Sequence, residues 1–231
     1  MERTCILGLI SIFSILFFAC SNEEAPSPAI SYLALGDSYT IGESVNESER
    51  WPNQLADSLN QTGANILTPK IIAKTGWRTD QLKDTVTNGL TLGRNYGLVS
   101  LLIGVNNQVQ GQQVVDFEVE FAGLLSTAIS FAGSNPNKVI VLSIPDYGKT
   151  VFGQYLGGDE ISHEIDQYNE VIKRNCAIQG VRFFDITPIS REVVNDSTLL
   201  GGDNFHPSGK MYNQWVALLF DEVNRILTPN P

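Results

Sequence analysis

Short apolar runs alternate with longer stretches of helical periodicity along most of this chain. Runs rich in Ile, Val, Leu and Phe that stop at Gly, Pro, Asp or Thr are typical of buried β-strands. They are ISYLALG, KIIAKTG, LVSLLIG, KVIVLSIP and VRFFDIT. Between them, apolar side chains recur every three or four residues, which predicts amphipathic helices at 114–131, 161–176 and 211–226. Pro207 precedes the last helix and suits its first turn.

Strict alternation of strand and helix predicts a parallel sheet covered on both faces by crossover helices. We therefore expect an α/β fold, a single three-layer αβα domain with a mostly parallel sheet of roughly five strands. No second composition shift, repeat or low-complexity segment follows residue 30, so the domain should span residues 30–231. Ligands bind outside the carboxyl ends of the strands in such sheets, so chemistry is expected just after each apolar run.

The first twenty residues have the layout of an export signal. Arg3 is followed by the apolar run CILGLISIFSILFFA, which is shorter than the about 20 residues that a membrane-spanning helix needs. The ending FFAC resembles the lipobox of bacterial lipoproteins, although Phe17 stands where leucine is usual. This resemblance implies a signal peptide at 1–19, a lipid on Cys20, a flexible tether at 20–29 and membrane anchoring in a bacterial envelope. The alternatives are a plain secreted protein and an uncleaved anchor.

Cysteine content and net charge argue against a disulfide-stabilised fold and against a nucleic-acid-binding protein. If Cys5 leaves with the signal and Cys20 carries lipid, Cys176 is the one cysteine left, so no intrachain disulfide can form and the fold must rest on its core. The formal net charge is −10. An acidic chain without a basic patch is repelled by phosphate backbones, which argues against nucleic acid as a partner.

Polar residues stand at successive predicted strand ends. Ser38 follows the first strand in GDSYTIG, Gly76 follows the second in KTGWRTD, and Asn106 follows the third in IGVNNQ. Asp203 and His206 lie in GGDNFHPSG, after the last strand. If the carboxyl ends of these strands meet at one edge of the sheet, the parts of a serine hydrolase are all present there.

A serine hydroxyl is a poor nucleophile at neutral pH and needs a base, for which imidazole is the usual choice. The chain has two histidines, and helical phase places His163 on the polar side of its helix, as a surface residue. His206 lies in a turn at the predicted site. Asp203, three residues earlier, is close enough to accept the Nδ1 proton and turn Nε2 toward Ser38. Asp203 could alternatively act only as a helix cap or turn residue.

A tetrahedral intermediate also needs hydrogen-bond donors aimed at its oxyanion. Ser38 and Gly76 can each offer a backbone N–H, and the side-chain amide of Asn106 can add a third donor. Taken singly, Gly76 is explained as a turn former and Asn106 as an Asx-turn residue. Together, at successive strand ends of one sheet, the three residues favour catalysis.

These residues resemble the four blocks of the SGNH hydrolases, also called GDSL esterases and lipases. GDSYTIG, the glycine of TGWRTD, GVNN and DNFHPS occur in the family's order from Leu35 to Pro207. The resemblance implies a flavodoxin-like sheet, no metal or cofactor, and hydrolysis of esters or thioesters through an acyl-enzyme. It makes Ser38 the nucleophile, His206 the base and Asp203 its orienting acid, with Ser38, Gly76 and Asn106 as the oxyanion hole.

The third block departs from the family pattern. It commonly reads Gly-x-Asn-Asp, whereas Asn107 follows Asn106 here, which removes a carboxylate near the site. Asp37, which precedes Ser38 as the pattern requires, is interpreted as a structural residue that hydrogen-bonds the turn.

The substrate is less well defined by the sequence. Trp77, next to Gly76, and the aromatics Tyr147, Phe152 and Tyr155 of the segment 146–160 are expected to line the substrate pocket, and that segment is either a mobile wall or an ordinary surface loop. The expected partner is a small-molecule, lipid or glycan ester. A lysophospholipase-like acyl esterase is the first hypothesis, a carbohydrate O-acetylesterase the second, and a non-catalytic ligand-binding lipoprotein the third.

Overall fold

The computed structural model describes residue 1 and residues 28–228. Its strands are β1 (Tyr32–Gly36), β2 (Lys70–Ala73), β3 (Leu98–Leu102), β4 (Val139–Leu142) and β5 (Arg182–Phe184). Its helices are α1 (Ser38–Ile41), α2 (Trp51–Gln61), α3 (Thr79–Asp84), α4 (Val105–Val109), α5 (Val114–Phe131), α6 (Val151–Tyr155), α7 (Gly158–Gln179), α8 (Thr187–Arg191) and α9 (Gly209–Leu227). Short 3-10 turns lie at Glu47–Glu49, Pro136–Lys138, Tyr147–Lys149, Glu192–Val194 and Ser197–Leu199, and a π-helical turn at Thr85–Gly89.

The described strands form one parallel sheet in the order β2-β1-β3-β4-β5. This is the flavodoxin-like order, and it confirms the predicted fold class. From β1 the chain adds β2 on one side and then β3, β4 and β5 on the other, so the strand order reverses between β1 and β3. Because all strands are parallel, their carboxyl ends lie at the same edge, and the turns after β1, β2 and β3 are neighbours there.

The core lies on both faces of the sheet. β1, β3 and β4 are buried along their whole lengths, which explains why each appears in the sequence as an unbroken apolar run. Among the helices that cover the sheet, α2 packs against α9, and α5 packs against both α3 and α7. The buried stripe of α9 includes Met211, Trp215, Leu219 and Val223 at the predicted spacing.

Three details differ from the sequence-based expectations. The last helix begins at Gly209, and its N-cap is Ser208, whose hydroxyl accepts a hydrogen bond from the Met211 N–H. Pro207 therefore precedes the N-cap and does not lie in the first turn. The helix begins after Ser208 because the serine hydroxyl can accept a hydrogen bond from a first-turn N–H, which a proline side chain cannot do. Helix α2 is not among the three predicted stripes, and the segment 146–160 is helical over much of its length.

Residues 2–19 of the predicted signal peptide and the predicted lipidation site Cys20 lie outside the described residues, and the boundaries at residues 19 and 29 stay predictions. Within 28–228, no helix has both the length and the apolar character required to span a membrane. Cys176 is a free thiol and is 1% exposed, and burial raises its pKa to about 12.

Candidate active site

Ser38 is the first residue of α1, directly after β1. Its neighbour Asp37 is the N-cap and accepts a hydrogen bond from the Tyr39 N–H at 3.0 Å. Gly36, the last residue of β1, has no room for a side chain, because a Cβ there would lie 2.4 Å from the Leu102 carbonyl oxygen. The close contact of β1 with β3 and the Asp37 cap therefore fix the turn that presents Ser38, which is 5% exposed.

Asp203 and His206 are joined in a closed loop after α8. The His206 Nδ1–H donates to Asp203 Oδ2 at 2.6 Å, while the backbone N–H groups of Phe205 and His206 donate to Asp203 Oδ1 at 3.0 and 2.9 Å. The loop is closed by a hydrogen bond from the Gly201 N–H to the His206 carbonyl at 2.7 Å. With Nδ1 as the donor, Nε2 is left as an acceptor, which is the tautomer that a general base requires.

The Asp203 carboxyl is held in its charged form. Partial burial would raise its pKa, but hydrogen bonds from the Ser44 hydroxyl, the His206 ring and the backbone N–H groups of His206 and Phe205 outweigh burial. The pKa of Asp203 consequently lies well below its usual range. Ser44 has a φ of 68°, in the left-handed region that few non-glycine residues adopt, and it is the serine whose hydroxyl reaches Asp203.

The imidazole lies beside the turn that carries Ser38. The ring centroids of Tyr39 and His206 are 5.7 Å apart in an edge-on contact, so His206 packs against the residue that follows the serine. Among the described hydrogen bonds, none joins Ser38 Oγ to the imidazole. Catalytic hydrogen bonds are often long in enzymes without substrate and shorten when it binds, so the geometry is compatible with a base at this position.

The two other predicted oxyanion donors are adjacent to each other. Gly76 has a φ of +84°, which only glycine adopts readily, and nothing lies within 4 Å of the position a Cβ would take. The Asn106 side-chain amide donates to the Trp77 carbonyl at 3.0 Å, which ties α4 to the turn after β2. The structure thus brings Asn106 next to Gly76 at the carboxyl edge of the sheet.

Asn107, the residue that departs from the family pattern, is fully buried in a polar network. Its amide nitrogen donates to Thr79 Oγ1 at 2.7 Å and to Gln112 Oε1 at 2.5 Å, and lies 3.5 Å from Glu120 Oε2. Glu120 in turn accepts from the Thr79 hydroxyl and from Gln112. A carboxylate is therefore already present in this cluster, supplied by α5, and an amide at residue 107 complements it.

Replacing Asn107 with aspartate should destabilise the protein in a pH-dependent way. Asn107→Asp removes two donors and places a second carboxylate beside Glu120, which costs roughly 1–3 kcal/mol of unfolding free energy when both acids are charged. Urea denaturation should show a larger loss at pH 8 than at pH 5. Glu120→Gln in the same background should recover part of it, and a loss that is equal at both pH values would contradict the explanation.

Asp37 has an unusual electrostatic environment for a carboxyl. Its side chain is fully buried, and Oδ2 has no hydrogen-bond partner among the described residues. Burial raises the pKa of Asp37 to about 7, although backbone N–H groups, including those of Tyr39 and Gly104, oppose the rise. The Asp37 carboxyl has a pKa of 3.8 in the unfolded chain, so between pH 3.8 and about 7 the folded protein keeps a proton that the unfolded chain has released.

This raised pKa predicts a pH-dependent contribution to stability. The contribution of Asp37 to the free energy of unfolding is complete below pH 4 and is lost as the pH rises through about 7. Between these two pH values it falls by on the order of 1.4 kcal/mol for each pH unit. The difference in unfolding free energy between the wild type and Asp37→Asn, measured in urea, should fall over this range. For Asp196→Asn the difference should be constant there, because hydrogen bonds from Lys210 and Thr198 lower the pKa of Asp196 to about 2. A constant difference for Asp37→Asn would overturn the assignment.

The four aromatics predicted to line the pocket have different environments. Tyr147 is 6% exposed, and its hydroxyl donates to Gln108 Oε1 at 2.9 Å. Phe152 is half exposed, with its ring edge-on to Phe205 at 5.5 Å. Trp77 is partly buried beside Gly76 and contributes its carbonyl to Asn106, whereas Tyr155 is 89% exposed. Of the four, Tyr147 and Phe152 have ring contacts with Phe205, whose own ring packs against His206.

Three neighbours of the candidate triad could not be predicted from the sequence as parts of the site. Ser44 carries no signal beyond its position shortly after GDS, and its contact with Asp203 depends on loop geometry. Tyr39 and Phe205 flank Ser38 and His206 in the chain, so proximity in sequence was an available hint for both. His163 is exposed and pairs with Gln167, as its helical phase predicts. No group of metal-binding side chains occurs among the residues the structure describes.

The chain is similar in sequence to a known family and in fold to solved structures. The model of the GDSL-like Lipase/Acylhydrolase family matches residues 34–214. A lipase/acylhydrolase from Enterococcus faecalis is similar at 17% identity over 87% of this chain and 99% of that one, with a TM-score of 0.65. An esterase, EstA, from Pseudoalteromonas sp. is similar at 14% identity over 86% and 98%, with a TM-score of 0.60.

An acetylxylan esterase, Axe2, from Geobacillus stearothermophilus is also similar, at 17% identity over 84% of this chain and 94% of that one, with a TM-score of 0.61. A comparison with curated proteins gives no match. At these identities the solved structures establish a shared fold, while the family model covers the strand ends and the loop described above. The chain therefore belongs to the GDSL-like lipase/acylhydrolase family, a family of carboxylic ester hydrolases.

Proposed function

We propose that this protein is a serine esterase that hydrolyses carboxylic esters through an acyl-enzyme, with Ser38, His206 and Asp203 as its triad. The observation that carries the proposal is the 2.6 Å hydrogen bond between the His206 ring and Asp203, beside the Tyr39 ring in the same turn as Ser38. A charged carboxylate on Nδ1 leaves Nε2 free to accept a proton, and Ser38 is the hydroxyl that the adjacent turn presents.

In the acylation half, Ser38 Oγ attacks the ester carbonyl carbon while His206 Nε2 takes the hydroxyl proton. The carbonyl electron pair moves onto oxygen, where the backbone N–H groups of Ser38 and Gly76 and the Asn106 amide donate to it. The C–O bond to the alcohol then breaks, and His206 returns the proton to the departing alkoxide. Asp203 stabilises the imidazolium without taking its proton.

In the deacylation half, water loses a proton to His206 as it adds to the acyl carbon, and the proton returns to Ser38 Oγ when the acid leaves. Both halves use the same donors, because the oxyanion forms at the same carbonyl oxygen. No other group is required, since the serine, the base and the donors supply nucleophile, proton transfer and charge stabilisation.

The first substrate hypothesis is an acyl ester of the lysophospholipase-like kind. The alternative is a carbohydrate O-acetylesterase. This hypothesis is supported by the similarity of the fold to that of an acetylxylan esterase. A third hypothesis, a non-catalytic ligand-binding lipoprotein, requires that the triad side chains fail to act together. Export, lipidation at Cys20 and an envelope location belong to this proposal too, because they rest on residues 1–20 of the sequence.

Ester hydrolysis and covalent labelling test the proposal together. The full chain should hydrolyse p-nitrophenyl acetate and should react with a fluorophosphonate at Ser38, as located by peptide mass spectrometry. Hydrolysis no faster than that of the Ser38→Ala variant would contradict it and favour the non-catalytic alternative.

A further inference from the structure

An exposed apolar patch lies on α6 and on the residue that follows it. This α6 patch consists of Val151, Phe152, Tyr155 and Leu156, with exposed fractions of 82%, 54%, 89% and 54%. Residues four apart on a helix are surface neighbours, so the pairs 151/155 and 152/156 are side by side. Contiguous exposed apolar side chains commonly mark a binding surface, whereas single ones need no explanation.

The α6 patch is connected to the proposed catalytic base by a chain of aromatic contacts. The Phe152 ring packs edge-on against Phe205 at 5.5 Å and 88°, and the Phe205 ring packs edge-on against His206 at 4.9 Å and 89°. The Tyr147 ring also packs edge-on against Phe205, at 5.6 Å and 60°. An uninterrupted apolar path therefore leads from the imidazole, across Phe205, to Phe152 and the rest of the patch.

The α6 helix is firmly attached to the domain. The Thr150 hydroxyl caps it by accepting from the Gly153 N–H at 3.0 Å, and it donates to the Tyr147 carbonyl at 2.8 Å. The Gln154 amide donates to the Gly148 carbonyl at 2.6 Å. A Cβ on Gly153 would lie 1.9 Å from the Tyr147 carbonyl oxygen, so the helix is seated directly on that turn. The patch is thus a preformed surface, which a ligand can use without an ordering cost.

Charge around the patch indicates what can cover it. Asp159 and Glu160 stand in the first turn of α7, directly after the patch, and the chain has a net charge of −10. Lys149, the nearby cation, is paired with Asp159 at 3.0 Å. A phosphate-bearing surface would be repelled here, while an uncharged hydrocarbon is not. The path also starts beside the turn that presents Ser38, because His206 packs against Tyr39, and Ser38 is the residue to which the acyl group would be attached.

We propose that Phe205 and the α6 patch bind the acyl chain of the ester, and that the enzyme therefore prefers medium-length acyl groups to acetyl. The inference rests on the proposed function, because it places the acyl carbon at Ser38. Phe205 is the residue that determines where the chain leaves the catalytic centre, and Phe152 and Tyr155 extend the contact outward. Each methylene that leaves water on this surface strengthens binding.

A chain-length comparison tests this inference. The ratio of kcat/KM for p-nitrophenyl octanoate to that for p-nitrophenyl acetate should be at least about ten in the full-length wild type, since six further methylenes are partly buried. Phe152→Ser and Tyr155→Ser should each lower the ratio by about threefold or more. Val119→Ser is the matched control, because Val119 is 73% exposed on α5 and belongs neither to the α6 patch nor to the chain of aromatic contacts, and it should leave the ratio unchanged.

The possible outcomes separate the two proposals. If no ester is hydrolysed, the proposed function fails. If acetate is hydrolysed with a ratio near one or below, or if Val119→Ser lowers the ratio as much as Tyr155→Ser, the acyl-chain inference is overturned while the esterase stands. Binding to neutral phosphatidylcholine vesicles, or self-association, that Tyr155→Ser abolishes without changing the ratio would also overturn it. Thermal unfolding of Phe152→Ser shows whether this variant has a folding defect. If it does, the kcat/KM ratio is compared in Tyr155→Ser and Val151→Ser instead, because both side chains are largely exposed.

Discussion

Replacement of Ser38 with alanine is expected to reduce kcat for p-nitrophenyl acetate by about 10⁴- to 10⁶-fold. The reason is that Ser38 is the proposed nucleophile and that Thr40, the other aliphatic hydroxyl of α1, is fully buried, so the variant loses covalent catalysis and retains only binding and oxyanion stabilisation. Ser38 is 5% exposed and begins a capped turn, and removing one oxygen should leave the fold intact.

Two measurements make this prediction specific. Fluorophosphonate labelling should disappear in Ser38→Ala, and thermal unfolding should show that the variant is folded. Ser48→Ala is the matched control: Ser48 is an exposed serine of the following 3-10 turn, and its loss should leave both activity and labelling unchanged. Near-full activity in Ser38→Ala would mean that the nucleophile is elsewhere.

Replacement of Asp203 with asparagine is expected to reduce kcat by roughly 10⁴-fold. The carboxylate accepts the His206 Nδ1–H at 2.6 Å, and hydrogen bonds from Ser44 and two backbone N–H groups keep it charged. An amide cannot stabilise an imidazolium in the same way, and its N–H₂ group would favour the tautomer in which Nε2 carries the proton. Ser38 would then face a donor instead of a base.

The pattern of kinetic change distinguishes this role from a purely structural one. The loss should appear in kcat with KM changed little, since Asp203 does not contact the ester, and the fluorophosphonate reaction should slow in parallel. Asp196→Asn is the control: Asp196 caps the neighbouring Ser197–Leu199 turn and pairs with Lys210, so its loss affects local stability but not the rate. An Asp203→Asn variant with more than a tenth of wild-type kcat would show that His206 does not depend on this carboxylate.

The fold could be predicted largely from the sequence, and the buried strands show why. β1, β3 and β4 are inaccessible on both faces, so each had to be an uninterrupted apolar run. Helix α2 was harder, because polar residues interrupt its apolar positions and Pro52 stands in its first turn. It is stabilised by packing on α9, a contact between segments about 150 residues apart that no local pattern records.

The position of the candidate residues at one edge of the sheet could be predicted from the sequence. Parallel strands place their carboxyl ends at one edge, so the residues after β1, β2 and β3 could be grouped before any distance was known. Asp203 and His206 are three residues apart, which made their hydrogen bond a local matter. The catalytic roles of these residues stay predictions until the variants are measured.

By itself, the sequence determined the alternation of elements, the acidic charge, the order of the four blocks and the identities of the polar residues at the strand ends. These follow from covalent order and side-chain chemistry, which are local properties. Only the tertiary structure decided that Ser44 supports Asp203, that Glu120 supplies the carboxylate beside Asn107, and that Phe152 reaches His206 through Phe205. Such contacts depend on how loops from distant parts of the chain pack across the sheet edge, and packing is set by the whole core.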